Sequence, residues 1–268
     1  MIDWDDAYAN GSYIADAASY PPKWANNAAR YRKAEFAELD IRYGPHTREK
    51  LDIFWPEATP KGLAVFVHGG YWMQFDKSSW SNLAEGARRN GWAVVVPSYA
   101  LAPEVRINEI TRQIGRAITI ASERIAGPIR LAGHSAGGHL VAQMACRNGP
   151  LKDVVADRLE HVLSISGLHD MRPLLNTKMN ETLQMTDHEA LEQSACLSMP
   201  RDGVKVTTWV GSDERPEFLR QSRILADIWG GLGVDTTLKV QEGFHHFNVI
   251  ETLADPNSEI AQAFGGAK

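Results

Sequence analysis

The run Gly133-His134-Ser135-Ala136-Gly137 sets a serine between two glycines in a G-x-S-x-G pattern. The chemistry this spacing serves is attack of a hydroxyl on a carbonyl carbon. A serine must be lifted clear of the backbone to do this, and a tight strand-to-helix turn, the nucleophile elbow, does the lifting. Side chains flanking the serine would clash inside so tight a turn, hence the small residues. Residues 128–132 before it read as a buried strand and residues 138–145 after it as a helix, the context the elbow requires.

Two further clusters could complete that chemistry. His68-Gly69-Gly70-Tyr71-Trp72 comes directly off the apolar run 63–67. Acyl transfer places negative charge on the former carbonyl oxygen, and fixed backbone N–H groups must meet it. The N–H groups of Gly70 and Tyr71, with that of Ala136 from the elbow, are the expected donors. His68 reads as a structural residue that orients the loop. Near the C-terminus, Gly243-Phe244-His245-His246-Phe247 follows the last strand, where a histidine can reach back to Ser135. The segment Gly211-Ser212-Asp213-Glu214-Arg215-Pro216, just after the preceding strand, offers two carboxylates. Serine, acid, histidine is the chain order of one known triad architecture. His139, His161, His169 and His188 have no partner pattern and read as packing or surface residues.

The elements that must position these groups alternate between strand and helix. Residues 36–43 and 50–55, separated by Gly44-Pro45-His46, alternate apolar and polar side chains as a half-exposed antiparallel pair should. Residues 63–67, 92–96 and 128–132 are continuous apolar runs, expected of central strands covered on both faces. Later strands are predicted at 161–166, 204–210 and 234–240. Helices are predicted at 78–90, 106–125, 135–147, 216–229 and 246–253; the clearest carries Ile107, Ile110, Ile114 and Ile118 on one face. Such alternation implies an α/β fold with a mostly parallel central sheet and helices on both faces. Residues 1–33 and the stretch from about 169 to 199 stand outside the pattern, as an N-terminal arm and a small cap-like excursion on a single domain spanning 1–268.

Composition excludes several classes of function. The 268-residue chain carries a formal charge of −5 with no basic block, which gives no support to nucleic acid or an anionic membrane as a partner. No apolar run approaches the length of a membrane span. The N-terminus is acidic and lacks the apolar core of a signal peptide. Cys146 and Cys196 lie in no metal or redox pattern, which fits free thiols in a reducing cytoplasm. The expected location is cytoplasmic, and the arm's aromatic residues make a homodimer conceivable.

His68-Gly69-Gly70-Tyr71-Trp72, the elbow with its continuation Gly138-His139-Leu140, and His246-Phe247 together resemble the arylformamidase (kynurenine formamidase) branch of the α/β-hydrolases. Tyr99-Ala100-Leu101-Ala102-Pro103-Glu104 is similar to the Tyr-x-Leu-x-Pro segment of the related hormone-sensitive-lipase-type esterases. The resemblance covers nearly the whole chain and extends to bacterial proteins described only as esterases. It implies an α/β-hydrolase fold and selects His246, which directly precedes a phenylalanine, over His245. In the family the acid is usually an aspartate two residues before Pro-Glu-Phe. Here Glu214 holds that position before Pro216-Glu217-Phe218, with Asp213 as the neighbouring alternative. Glutamate can serve, because the task is to hold the imidazole tautomer and stabilise the imidazolium.

The function so implied is a serine hydrolase with a catalytic triad of Ser135, Glu214 and His246. It would cleave a small acyl group from an aryl N-formyl amide or a carboxylic ester through an acyl-serine, without metal or organic cofactor. The partner is then a small-molecule substrate, with Tyr71 and Trp72 narrowing the acyl pocket. Leaving-group contacts are expected from Tyr8, Tyr13, Tyr20 and Trp24, and from the methionines of 169–199, although core packing is the default for most of these. The alternatives are a broad-specificity short-chain carboxylesterase and, less favoured, a non-catalytic small-molecule receptor on the same fold. Receptors tend to lose the serine or the histidine, and this chain keeps both.

Overall fold

A computed structural model describes residues 2–266; the terminal residues of the expected 1–268 domain lie outside them. Eight strands form one sheet: β1 Ala37–Arg42, β2 Lys50–Phe54, β3 Leu63–Val67, β4 Ala93–Pro97, β5 Ile129–His134, β6 Leu159–Ile165, β7 Lys205–Gly211 and β8 Asp235–Gln241. Their order across the sheet is β1-β2-β4-β3-β5-β6-β7-β8. β1 and β2 pair antiparallel, and β2 pairs antiparallel with β4. From β4 onward all neighbours are parallel. This is the expected mixed sheet, with the antiparallel hairpin at one edge.

The helices, in chain order, are α1 Trp4–Ala7, α2 Tyr20–Ala34, α3 Glu85–Arg89, α4 Ile107–Arg124, α5 Ala136–Met144, α6 Asp153–Ala156, α7 Asn180–Leu183, α8 Asp187–Glu192, α9 Pro216–Gly231 and α10 Glu259–Gly265. The alternation of strand side chains divides the core in two. Leu63, Val65 and Val67 of β3 face a cluster that includes Ile110 and Ile114 of α4, Leu140 of α5, and Phe218 and Leu225 of α9. Ala64 and Phe66 face the other, which holds Trp24 of α2, Trp80, Ala87 of α3 and Phe264 of α10. Because β3 is buried along its whole length, neither of its faces can be polar.

Three elements differ from the sequence expectation, each for a local reason. Residues 78–90 are not one helix but two 3-10 turns, Lys77–Ser79 and Ser81–Ala84, followed by α3. Asp76 caps the first turn by accepting the Ser78 N–H at 2.7 Å, and local side-chain bonds of this kind compete with a continuous helix. Residues 246–253 form turns and one 3-10 segment, Glu251–Ala254. There the side chain of Asn248 takes the His245 N–H at 2.8 Å. The arm, in contrast, contains the regular fifteen-residue helix α2, opened by proline in its first turn, where a missing N–H costs nothing.

Candidate active site

The elbow is built as its sequence demands. Ser135 sits between β5 and α5 at φ 55 and ψ −118, a region costing on the order of 1–3 kcal/mol for a residue with a side chain. Its N–H is tied to the Ile165 carbonyl at 2.8 Å, so β6 helps hold the turn. A Cβ on Gly133 would lie 2.1 Å from the Gly137 carbonyl oxygen, and one on Gly137 would lie 2.0 Å from that of Val67. Neither position can carry a side chain without opening the turn.

The loop after β3 is equally constrained. Gly70, Tyr71 and Trp72 all have positive φ, at 114, 54 and 59. The Gly70 carbonyl accepts the N–H groups of both Met73 and Gln74 at 2.9 Å, which closes the loop on itself. A Cβ at Gly70 would meet the Gln74 carbonyl oxygen at 2.5 Å. Among the described residues, no backbone acceptor takes the N–H groups of Gly70, Tyr71 or Ala136. His68 is the structural residue expected: fully buried, its ring stacks on Tyr99 at 4.3 Å, and the Tyr99 hydroxyl donates to the His68 carbonyl at 2.8 Å. Burial pushes the His68 imidazole down to about 4.

Glu214 and His246 are brought together from the loops after β7 and β8. His246 Nδ1 donates to Glu214 Oε2 at 2.6 Å, and both side chains are buried. That fixes the tautomer of the neutral ring, leaving Nε2 as the unprotonated nitrogen. Glu214 Oε1 in turn accepts the Ser166 hydroxyl at 2.5 Å and the Gly211 N–H at 2.9 Å. Asp213 is exposed and accepts from the Ser212 hydroxyl, while the carboxylate bonded to His246 is that of Glu214. His245 faces away, hydrogen-bonded through Nε2 to Tyr20 at 3.1 Å.

Ser135, His246, Gly70 and Tyr71 all line one cavity of about 260 Å³. Its other walls are largely aromatic, from Trp24, Phe75, Trp80 and Phe247. Among the described residues, no group of three or more His, Cys, Asp or Glu is arranged to hold a metal ion.

Other expected pocket residues lie elsewhere. Trp72 is buried in the core behind the loop, edge-on to His139 at 5.3 Å, rather than in the cavity wall. Of the Tyr71–Trp72 pair only Tyr71 lines the cavity. Tyr8 is buried and donates to Glu217 at 2.9 Å; Tyr13 lies exposed beneath the Arg215 guanidinium, 3.7 Å from ring centroid to cation. Of the four arm aromatics, Trp24 alone reaches the cavity wall. In the 169–199 excursion, Met171 and Met185 are core residues and Met199 is exposed; none of that stretch lines the cavity.

Two supporting residues carry no local signal of their role. Ser166, at the end of β6 with φ 50, donates to Glu214, a contact set only by the β6–β7 register. His134, the variable residue of the elbow, donates from Nε2 to the His246 carbonyl at 2.9 Å. Burial and the neighbouring His246 hold it well below the usual histidine range, so it stays a neutral donor.

A sheet of this order, with an elbow after β5 and an acid and a histidine after β7 and β8, defines a class. The chain belongs to the alpha/beta hydrolase fold family, whose model matches residues 64–247. Within that family it falls in the arylformamidase-like branch and is a hydrolase. Kynurenine formamidase of Danio rerio is 29% identical over 238 residues, 85% of this chain and 80% of that protein. The kynurenine formamidase of Salmo salar is 30% identical over 238 residues, 84% and 79% of the two chains. A crystal structure from Silicibacter sp. TM1040, provisionally described as a thioesterase, is 52% identical with a TM-score of 0.93 and covers 98% of this chain and 99% of its own. Esterase B of Lactobacillus rhamnosis shares the fold at 19% identity and a TM-score of 0.72, covering 98% and 96%.

Proposed function

We propose that the protein is a serine hydrolase that removes a small acyl group from an aryl N-formyl amide or a carboxylic ester. The observation that carries this reading is the Glu214–His246 pair at 2.6 Å, with His246 and Ser135 on the wall of one cavity. In this mechanism His246 Nε2 takes the proton of Ser135 Oγ as that oxygen bonds to the acyl carbon. The oxyanion then receives the N–H groups of Gly70, Tyr71 and Ala136, the last at the N-terminus of α5, whose dipole also favours negative charge. His246 returns its proton to the leaving amine or alcohol as the acyl–N or acyl–O bond breaks. Water, deprotonated by His246, then cleaves the acyl-serine. Glu214 stabilises the transient imidazolium throughout.

The catalytic groups do not separate an arylformamidase from a short-chain carboxylesterase, since selectivity resides in pocket shape. Ser135→Ala should leave only the residual ~10³–10⁴-fold acceleration over water that binding and the oxyanion donors sustain. A fluorophosphonate probe should label Ser135 alone, read by peptide mass spectrometry. Near-normal turnover by the alanine variant, or a label on another serine, would overturn the assignment. Measuring kcat/KM side by side on N-formylkynurenine and p-nitrophenyl acetate ranks the two substrate classes.

A further inference from the structure

We infer that the cavity is built for an acyl compound that carries no negative charge on the part it buries, and that substrates bearing a carboxylate or a phosphate on that part are selected against. This rests on the hydrolase reading above and narrows its substrate class.

The cavity wall is neutral. Among the described residues, none that lines it is an Asp, Glu, Lys or Arg. The polar side-chain groups other than Ser135 and His246 are few, and most are already engaged. The Tyr71 hydroxyl donates to the Tyr8 carbonyl at 3.0 Å and accepts from Asn10 at 3.3 Å. His134 is neutral, and its Nε2–H is given to the His246 carbonyl. The Gln74 amide sits exposed at the rim. The rest is aromatic ring and backbone, with Trp24 tilted against Trp80 at 4.7 Å between ring centroids and edge-on to Phe247 at 5.3 Å.

An anionic group moved from water into such a wall loses its hydration and gains no partner, since the ring faces themselves carry partial negative charge. The nearest buried charge makes the bias stronger against anions. Glu214 lies directly behind His246, and its carboxylate field falls on the cavity through a low-dielectric interior. The basic residues of this region are also committed. Arg215 pairs with Asp6 and covers Tyr13, and Arg220 pairs with Glu217 at 2.8 Å. Lys23 pairs with Glu251 at 2.7 Å. Arg48 spends its guanidinium on the Phe75 and Tyr99 carbonyls, and among the described residues no cation lines the cavity to meet the carboxylate of an amino-acid substrate or the phosphates of a coenzyme thioester. One negative charge does develop in the site, on the reacting oxygen, and it is met by backbone donors rather than by a side-chain cation.

Two matched pairs test this. In the first, 4-carbamoylphenyl acetate is compared with 4-carboxyphenyl acetate, which has nearly the same shape but carries a charge. In the second, 2-formamidoacetophenone is compared with N-formylkynurenine, which shares the formanilide and adds the charged amino-acid group. The neutral member of each pair should have a kcat/KM at least 30-fold higher, on the order expected when an unpaired charge is buried. The cationic-rim variant Gln74→Lys should raise the charged-to-neutral ratio at least fivefold for 4-carboxyphenyl acetate. A charged substrate within tenfold of its neutral partner, in either pair, would overturn the inference, as would an unchanged ratio in the lysine variant. Failure of the underlying reading looks different. In that case no member of either pair is turned over, and a fluorophosphonate leaves Ser135 unlabelled.

Discussion

At the scale of single residues, the carboxylate beside His246 decides how the site is wired. Glu214 replaces the more usual aspartate, and its longer side chain is accommodated because Ser166 and Gly211 hold Oε1 while Oε2 meets the imidazole. Glu214→Gln keeps the shape but removes the charge that would stabilise the imidazolium. The expected loss in kcat approaches ~10⁴, the effect of the analogous change in serine proteases. Asp213→Asn should cost less than about tenfold, as for an exposed charge. Ser166→Ala should fall between them, since it removes one hydrogen bond to a charged group, worth ~1.5–3 kcal/mol. Steady-state kinetics on one ester ranks the three, and a larger loss at Asp213 than at Glu214 would reassign the acid. That Glu214 is the carboxylate meeting His246 agrees with the count back from Pro216 that the family resemblance supplies. Ser166 was not legible in the sequence, because its contact depends on the register between β6 and β7 and leaves no local mark.

At the scale of elements, the arm joins parts of the site that lie far apart in sequence. Tyr8 alone ties the loop after β3 to α9: its carbonyl accepts from Tyr71, its hydroxyl donates to Glu217, and Gln221 donates to that hydroxyl at 3.3 Å. Tyr20 adds a link to His245, and Trp24 supplies cavity wall. Tyr8→Phe leaves the buried Glu217 short of one donor and should destabilise the fold by ~1–3 kcal/mol. The loosening should be concentrated in the arm and in residues 70–75. Hydrogen exchange by mass spectrometry checks this, and a uniform change, or none, would mean the arm is not coupled to the loop. The strands and the long helices α4 and α9 could be read from periodicity, because each buries a face along its own length. The arm's role could not, since Tyr8, Tyr20 and Trp24 find their partners more than fifty residues away.

At the scale of the whole molecule, the sheet and its two cores bury His68, His134, His139, His161 and His169. His68, His139 and His161 are pushed down to about 4 by burial, His169 to about 3, and His134 well below its ordinary value. All five therefore stay neutral in the folded protein at pH values where the unfolded chain, with ordinary histidines near 6.5, takes up protons. Between about pH 6.5 and 5 the unfolded state binds more protons than the folded one, so stability rises with pH and is lost as pH falls. Carboxylates add little in that window, because most are ionised in both states. With five such groups, the expected uptake on unfolding near pH 5 is about four to five protons, and each contributes a slope of about 1.4 kcal/mol per pH unit. Urea unfolding at closely spaced pH values from 7.5 to 5 measures the slope directly. His161→Gln, at the position where the ring Nε2 meets the Thr207 hydroxyl at 2.9 Å, should reduce the uptake by about one proton. A total slope corresponding to fewer than two protons would show that these histidines titrate in the folded state, and that the interior holding the elbow and the loop after β3 is more hydrated than its packing implies.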